Sequence, residues 1–194
     1  MLLQCIANMA VDPENEVYLK KSIPTMIRRI ESSVEMESVV AMQAIPHCLN
    51  RLWIKGEVNL HSLRLLVNLA CCPDMVPHIL ASKTITGILT ILDTDKQDVL
   101  LRAVTWLLCM SSAVEALSIT YDHIAPLNQD PFGNPNYTLY HTLYGMKGKA
   151  EMEQKALQMS EMKNIEIANK SKRLYEILRQ ITPMRSSCAS LNRL

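Results

Sequence analysis

Leu63-Arg64-Leu65-Leu66-Val67-Asn68-Leu69-Ala70, closed by a proline turn at Pro73, decides the fold because the chain carries it twice. The other copy is Leu3-Gln4-Cys5-Ile6-Ala7-Asn8-Met9-Ala10, closed by Pro13. Each copy places apolar residues at helical spacing and stops before a residue that cannot continue the helix. The order downstream repeats as well. Ile23, Met26, Ile27 and Ile30 follow the first copy, and Ile85, Ile88, Leu89 and Leu92 follow the second. Then come Glu37-Ser38-Val39-Val40 and Gln97-Asp98-Val99-Leu100, each a polar start leading into a long apolar-periodic helix. A unit of three helices that recurs in this way cannot bury its apolar faces alone, so neighbouring units must stack into a common core.

Composition agrees with packed helices. The 194 residues are 48% hydrophobic and 20% charged, enough for one folded unit with a substantial core, and this excludes a mostly disordered chain. Five glycines and 5% aromatics, against abundant Leu, Ile, Met and Ala, predict an all-α fold. Lys and Arg number 20 against 19 Asp and Glu, so no global field draws the chain to nucleic acid or to an anionic membrane. The six cysteines (Cys5, Cys48, Cys71, Cys72, Cys109 and Cys188) have no paired spacing and read as reduced, buried thiols. The apolar start at Met1 is too short for a membrane span and enters a helix without a capping residue ahead of it. That start predicts a fragment or a short or truncated form of a longer protein.

Outward from the repeats, Trp53 to Ala70 reads as one additional helix after a break at Lys55-Gly56. A helix is expected from about Ala113 to Ile124, followed by a loop at Pro126-Leu127-Asn128-Gln129-Asp130-Pro131-Phe132-Gly133-Asn134-Pro135-Asn136, where three prolines and a glycine rule out regular structure. Tyr137 to Gly145 reads as a short aromatic helix, and Ala150 to Met159 and Asn164 to Gln180 as two longer ones. The tail from Met184 to Leu194 has too little periodicity to fold alone.

The segment from Cys71 to Ser112 resembles a whole armadillo repeat: a Pro73-Asp74-Met75 turn, a short helix ending near Leu80, a second helix over Ile85 to Leu92 and a third from Asp98. Three stretches extend the resemblance to the armadillo-repeat proteins associated with the mitochondrial outer membrane, which include an X-linked cluster and relatives expressed in testis. They are Leu65 to Ala70 with Pro73-Asp74-Met75, Val99 to Leu107, and Thr138 to Gly145 with the Glu153-Gln154-Lys155-Ala156-Leu157 helix behind it. The resemblance implies an armadillo-like superhelical solenoid over residues 1–181, with repeats at about 11–52 and 71–112, an extra helix over 57–70, a loop over 126–136 and C-terminal capping helices over 137–181. Residues 182–194 form a tail outside it. It further implies a non-enzymatic adaptor on the cytosolic face of mitochondria that binds other proteins through its concave surface and the loop, and serves mitochondrial distribution, tethering or dynamics. The family's N-terminal membrane anchor is absent from this sequence, so membrane association is expected only through that missing anchor or through partners, and a cytoplasmic protein is expected if the chain is complete. A soluble armadillo module that carries peptide cargo or a nuclear regulator is the alternative.

In armadillo proteins that hold extended peptides, the third helix of each repeat presents an Asn with a Trp four residues before it. Asn8, Asn50 and Asn68 fall at the Asn position, while Met110 occupies it in the last unit. Trp106 is the only Trp correctly placed, with Gln4, Pro46 and Arg64 in the other units, so no complete pair survives and a repeated peptide code is not expected. The plain reading is that Trp106 fills the core and the asparagines cap backbone groups. Tyr140 and Tyr144 continue a stripe begun at Tyr137; buried, they fix the cap helix to the last repeat, and exposed, they form a partner-binding cluster. Asn8, Asn50, Asn68, Tyr140 and Tyr144 are thus the candidate partner-binding residues. No catalytic residue, cofactor, metal or small-molecule substrate is expected. The five histidines are scattered, and Cys71-Cys72 with His78 lacks zinc-site spacing. Gly145 and Gly148 stand outside any phosphate-loop context. Lys170, Lys172, Arg173 and Arg179, interspersed with Glu166 and Glu176, read as a solvated face, and the run of Met146, Met152, Met159 and Met162 as adaptable packing.

Overall fold

The computed structural model describes residues 44–54 and 56–184. Asn8, nearly all of the first repeat over 11–52 and most of the tail lie outside the described residues. Within them the chain is mostly helical, in agreement with the all-α expectation.

Residues 44–50 are helical (α1), and a two-residue hairpin follows, β1 at Trp53–Ile54 paired antiparallel with β2 at Glu57–Val58. Gly56 turns it with a φ of 83°, a left-handed conformation that glycine tolerates without cost. The sequence shows that glycine only as a break. Helix α2 (Leu60–Ala70) starts at Asn59, whose side chain accepts the backbone N–H groups of His61 at 3.1 Å and Ser62 at 3.4 Å. The Pro73–Met75 turn is a 3-10 turn leading directly into α3 (Val76–Ala81).

The second helix expected over Ile85 to Leu92 forms later and tighter, as a 3-10 helix over Ile88–Asp93. Gly87, at φ 71°, resets the chain immediately before it. Periodic apolar residues at i and i+3 suit either helix type, so their spacing does not distinguish the two. Helix α4 (Gln97–Ala116) then runs through the boundary expected near Ser112, because no breaker interrupts Met110 to Ala116. The separate helix expected from Ala113 to Ile124 is therefore the last turn of α4 plus a one-turn helix, α5 (Tyr121–Ile124). Between them Ser118 takes φ 50°, a conformation that its side chain does not announce in the sequence.

The loop carries short 3-10 turns at Ala125–Leu127 and Pro135–Tyr137. Helix α6 (Leu139–Tyr144) passes at Gly145 into α7 (Met146–Met159), which begins four residues ahead of the expected Ala150. Helix α8 (Ile165–Gln180) opens on Asn164, which accepts the N–H groups of Glu166 and Ile167 at 3.1 and 3.3 Å.

Helix α4 is the centre of the molecule, packed between α2 and α8; α8 in turn packs on α7, and α6 on α7 and α3. Trp106, Leu107 and Met110 of α4 are buried with Leu63 and Leu66 of α2 and Leu174 and Leu178 of α8. Helix α4 has the length and, at 1.5, the mean hydropathy of a membrane span, but 61% of that window is buried inside the fold, which a core helix explains equally. A set of hydrogen bonds laces the segment after α3 to the segment that leads into α6. The N–H of Thr84 donates to Tyr137 O at 2.8 Å, that of Leu139 to Ser82 O at 2.9 Å, and the Thr84 and Thr142 hydroxyls are hydrogen bonded.

Candidate functional site

Tyrosines connect the core to the proline-rich loop. Tyr144 is fully buried, and its hydroxyl shares a 3.1 Å hydrogen bond with Ser111 of α4. One turn earlier Tyr140 is 4% exposed, with its ring centroid 5.4 Å from that of Tyr144, and its hydroxyl donates to Ile119 O at 3.2 Å. Tyr121 of α5 continues the series, its ring centroid 6.2 Å from that of Tyr140. These spacings suit tilted aromatic pairs. Of the two readings of Tyr140 and Tyr144, the structure has the buried one and not the exposed partner-binding cluster: Tyr144 bonds Ser111 of α4, Tyr140 bonds the Ile119 carbonyl beside α5, and each hydroxyl has a partner inside the protein. They fix the cap helix, and no face of either ring is left for a partner.

The Tyr121 hydroxyl is the junction with the loop. It accepts from the Asn128 side-chain amide at 3.2 Å and donates to Gly133 O at 3.5 Å. Asn128 also donates to Asn134 O at 3.2 Å, and its carbonyl accepts the N–H of Asp130 at 3.0 Å. The Asp130 carboxylate accepts the N–H of Asn134 at 2.7 Å, and the Asn134 side chain accepts that of Asn136 at 3.0 Å. Asn and Asp thus close the loop on itself, as short polar side chains do in turns. Gly133, at φ 62°, makes the reversal, and Phe132 beside it stands 93% exposed. The sequence reading placed the loop but did not single out Phe132, Tyr121 or Asn128. The available signal was an isolated aromatic, the chain's one Phe, inside a run of Pro, Gly, Asn and Asp.

The remaining candidates are dispersed. Asn50 is exposed and Asn68 half-buried, and neither caps a backbone group among the described residues. The capping asparagines are instead Asn59, Asn134 and Asn164. Trp106 is fully buried, and its indole N–H has no hydrogen-bond partner among the described residues. Lys172, Arg173 and Arg179 are exposed on α8, whose Lys170 pairs with Glu166 at 3.2 Å. Of the methionines, Met152 and Met159 are buried whereas Met146 is 63% exposed. No group of three or more His, Cys, Asp or Glu able to hold a metal occurs among the described residues. The cysteine reading needs correction: of the four described cysteines only Cys48 is buried, Cys72 and Cys109 are half-buried and Cys71 is exposed, while Cys5 and Cys188 lie outside the described residues.

Burial raises the pKa of Tyr144 well above the usual tyrosine range, against the opposing hydrogen bond from Ser111; burial, then Asp122, raises that of Tyr140. A folded-state pKa above the unfolded value stabilises the fold fully below the unfolded value, about 10, and the contribution is lost as pH rises beyond it. Stability is therefore expected to fall from about pH 10 upward. Tyr144→Phe should flatten that decline in pH-dependent urea unfolding while costing about 1–2 kcal/mol at neutral pH, because Ser111 loses its partner.

The sequence matches no protein-family model and no curated protein.

Proposed function

We propose that the chain is a non-enzymatic adaptor of the armadillo-solenoid type which binds other proteins and serves mitochondrial distribution, tethering or dynamics from the cytosolic face of the outer membrane. The observation that carries the binding part is Phe132, 93% exposed at the tip of a loop that hydrogen bonds fix to the buried tyrosine series. An aromatic side chain carried on a loop whose backbone is fixed before contact leaves less chain to be ordered on binding, which favours an anchoring residue. Support for the solenoid part comes from α2, α4 and α8, which pack side by side in that order as the successive long helices of stacked repeats do. The mitochondrial part rests on the sequence resemblance.

The test is affinity capture from cells expressing the full chain, in parallel with Phe132→Ala. The variant should lose at least tenfold of its specific partners while its thermal midpoint stays unchanged, since Phe132 contributes little to the core. Partners retained in full would remove the loop from the interface. Imaging of the same tagged protein should give a mitochondrial pattern, and a diffuse cytosolic signal would sink the placement.

A second reading, a module for extended peptides, gains one observation: the Asn68 amide on α2 is not engaged in capping and remains available to a ligand backbone. Asn68→Ala separates the two readings, because it should abolish peptide capture under this one and leave Phe132-dependent capture intact under the first.

A further inference from the structure

Two cysteines that are remote in sequence meet in the fold. Cys71 follows α2 as its C-terminal cap residue, and Cys109 lies in α4; their Sγ atoms are 3.9 Å apart. Cys71 is exposed and Cys109 half-buried, so solvent reaches one thiol and the other stands behind it. A disulfide requires about 2.05 Å between the sulfurs, leaving roughly 1.9 Å of approach, within reach of side-chain rotation at a cap residue. Lys170 and Arg173 of α8 act electrostatically on Cys109 and favour its thiolate. Burial, then the neighbouring Cys71, outweigh them and push Cys109 up to about 11, so it rests as a thiol.

We propose that Cys71 and Cys109 form a reversible oxidation site at which a hydroperoxide converts the two thiols into a disulfide pinning the end of α2 to the middle of α4. The Cys71 thiolate attacks one peroxide oxygen, the O–O bond breaks, and the departing alkoxide or hydroxide leaves as alcohol or water with the proton given up by Cys71. Cys71 is then a sulfenic acid. The Cys109 sulfur attacks Sγ of Cys71, the S–O bond breaks, and hydroxide leaves as water with the Cys109 proton. Two thiols are oxidised by two electrons, and one peroxide is reduced to an alcohol, or water, and water. A dithiol reductant reverses the reaction by exchange. The bond would fix α2 against α4 in the stack from which the adaptor reading is drawn, yet its formation does not depend on that reading.

The experiment treats the purified full chain with a small molar excess of hydrogen peroxide, blocks remaining thiols by alkylation, and maps disulfides by mass spectrometry. The expected product is a Cys71–Cys109 cross-link within one chain, reversed by dithiothreitol. Cys72→Ser should form it as readily, which separates Cys71 from its neighbour. Cys109→Ser should abolish it and leave Cys71 as a sulfenic acid trapped several-fold more by dimedone. Oxidation should raise the thermal midpoint of Cys72→Ser by about 5–10 °C, as expected for a bridge closing a long loop, and should leave that of Cys109→Ser unchanged. Cross-links of Cys71 to Cys72 or between chains, or a Cys109 thiol that still alkylates fully after Cys71 is oxidised, would overturn the proposal.

Discussion

Replacing Trp106 with Ala is expected to lower the unfolding free energy by about 3–5 kcal/mol, the range for truncating a large aromatic side chain in a core. Trp106 is fully buried on α4, the helix on which both α2 and α8 pack, so truncating it leaves a cavity in the middle of the core. Trp106→Phe should cost far less, about 1–2 kcal/mol. It keeps most of the apolar area and removes an indole N–H that has no acceptor among the described residues. Urea unfolding of the two variants checks the ordering, and equal losses would mean that the indole nitrogen has a partner. The prediction also weighs on the sequence reading, where Trp106 had a possible groove role beside a plain core role. Burial on this scale is the core role.

Gly148→Ala is expected to be as damaging, although Ala is the better helix former by about 1 kcal/mol. A Cβ on Gly148 would stand 1.7 Å from Thr142 O and 2.8 Å from the Thr142 carbonyl carbon. Both are backbone atoms, so no side-chain rotation relieves the overlap, and α7 must move away from α6. A shift of that kind costs about 3 kcal/mol or more and loosens Tyr144, which sits in the same corner. Gly133→Ala provides the control. Its Cβ would meet nothing within 4 Å, and only the positive φ of 62° opposes it, a cost of about 1–2 kcal/mol. Thermal unfolding should therefore rank Gly148→Ala well below Gly133→Ala, and the reverse ranking would show that the α6–α7 corner is pliable.

That corner marks the limit of what the sequence discloses. In the sequence Gly145 and Gly148 are notable only for lacking a phosphate-loop context, whereas the structure uses Gly148 inside α7 because the backbone of α6 passes so close. A helix with a capping residue and continuous periodicity, α8 above all, is legible within a residue, whereas the helix expected over 57–70 starts only at Leu60 because Trp53–Ile54 and Glu57–Val58 pair as a hairpin. The change to a 3-10 helix at Ile88–Asp93 and the kink at Ser118 are not, since each depends on a backbone conformation and not on an apolar pattern. The candidate site divides in the same way. The loop is plain from its prolines, and the tyrosine stripe from its spacing, but the partner of each hydroxyl lies on another element. Cys71 and Cys109 are 38 positions apart, and nothing short of the packed fold brings them together.

The lacing of Ser82–Thr84 to Tyr137–Leu139, reinforced by Thr84 and Thr142 at a separation of 58 positions, joins segments between which α4, α5 and the whole proline-rich loop are strung. Loop-closure entropy opposes so distant a contact until the intervening helices have shortened the path. Folding should thus proceed by early association of α2 with α4, and this seam should close among the last events. Interactions made after the rate-limiting barrier slow unfolding without hastening folding. The seam accordingly acts as a latch on the native state, setting how long the finished loop stays on display more than how quickly it is assembled.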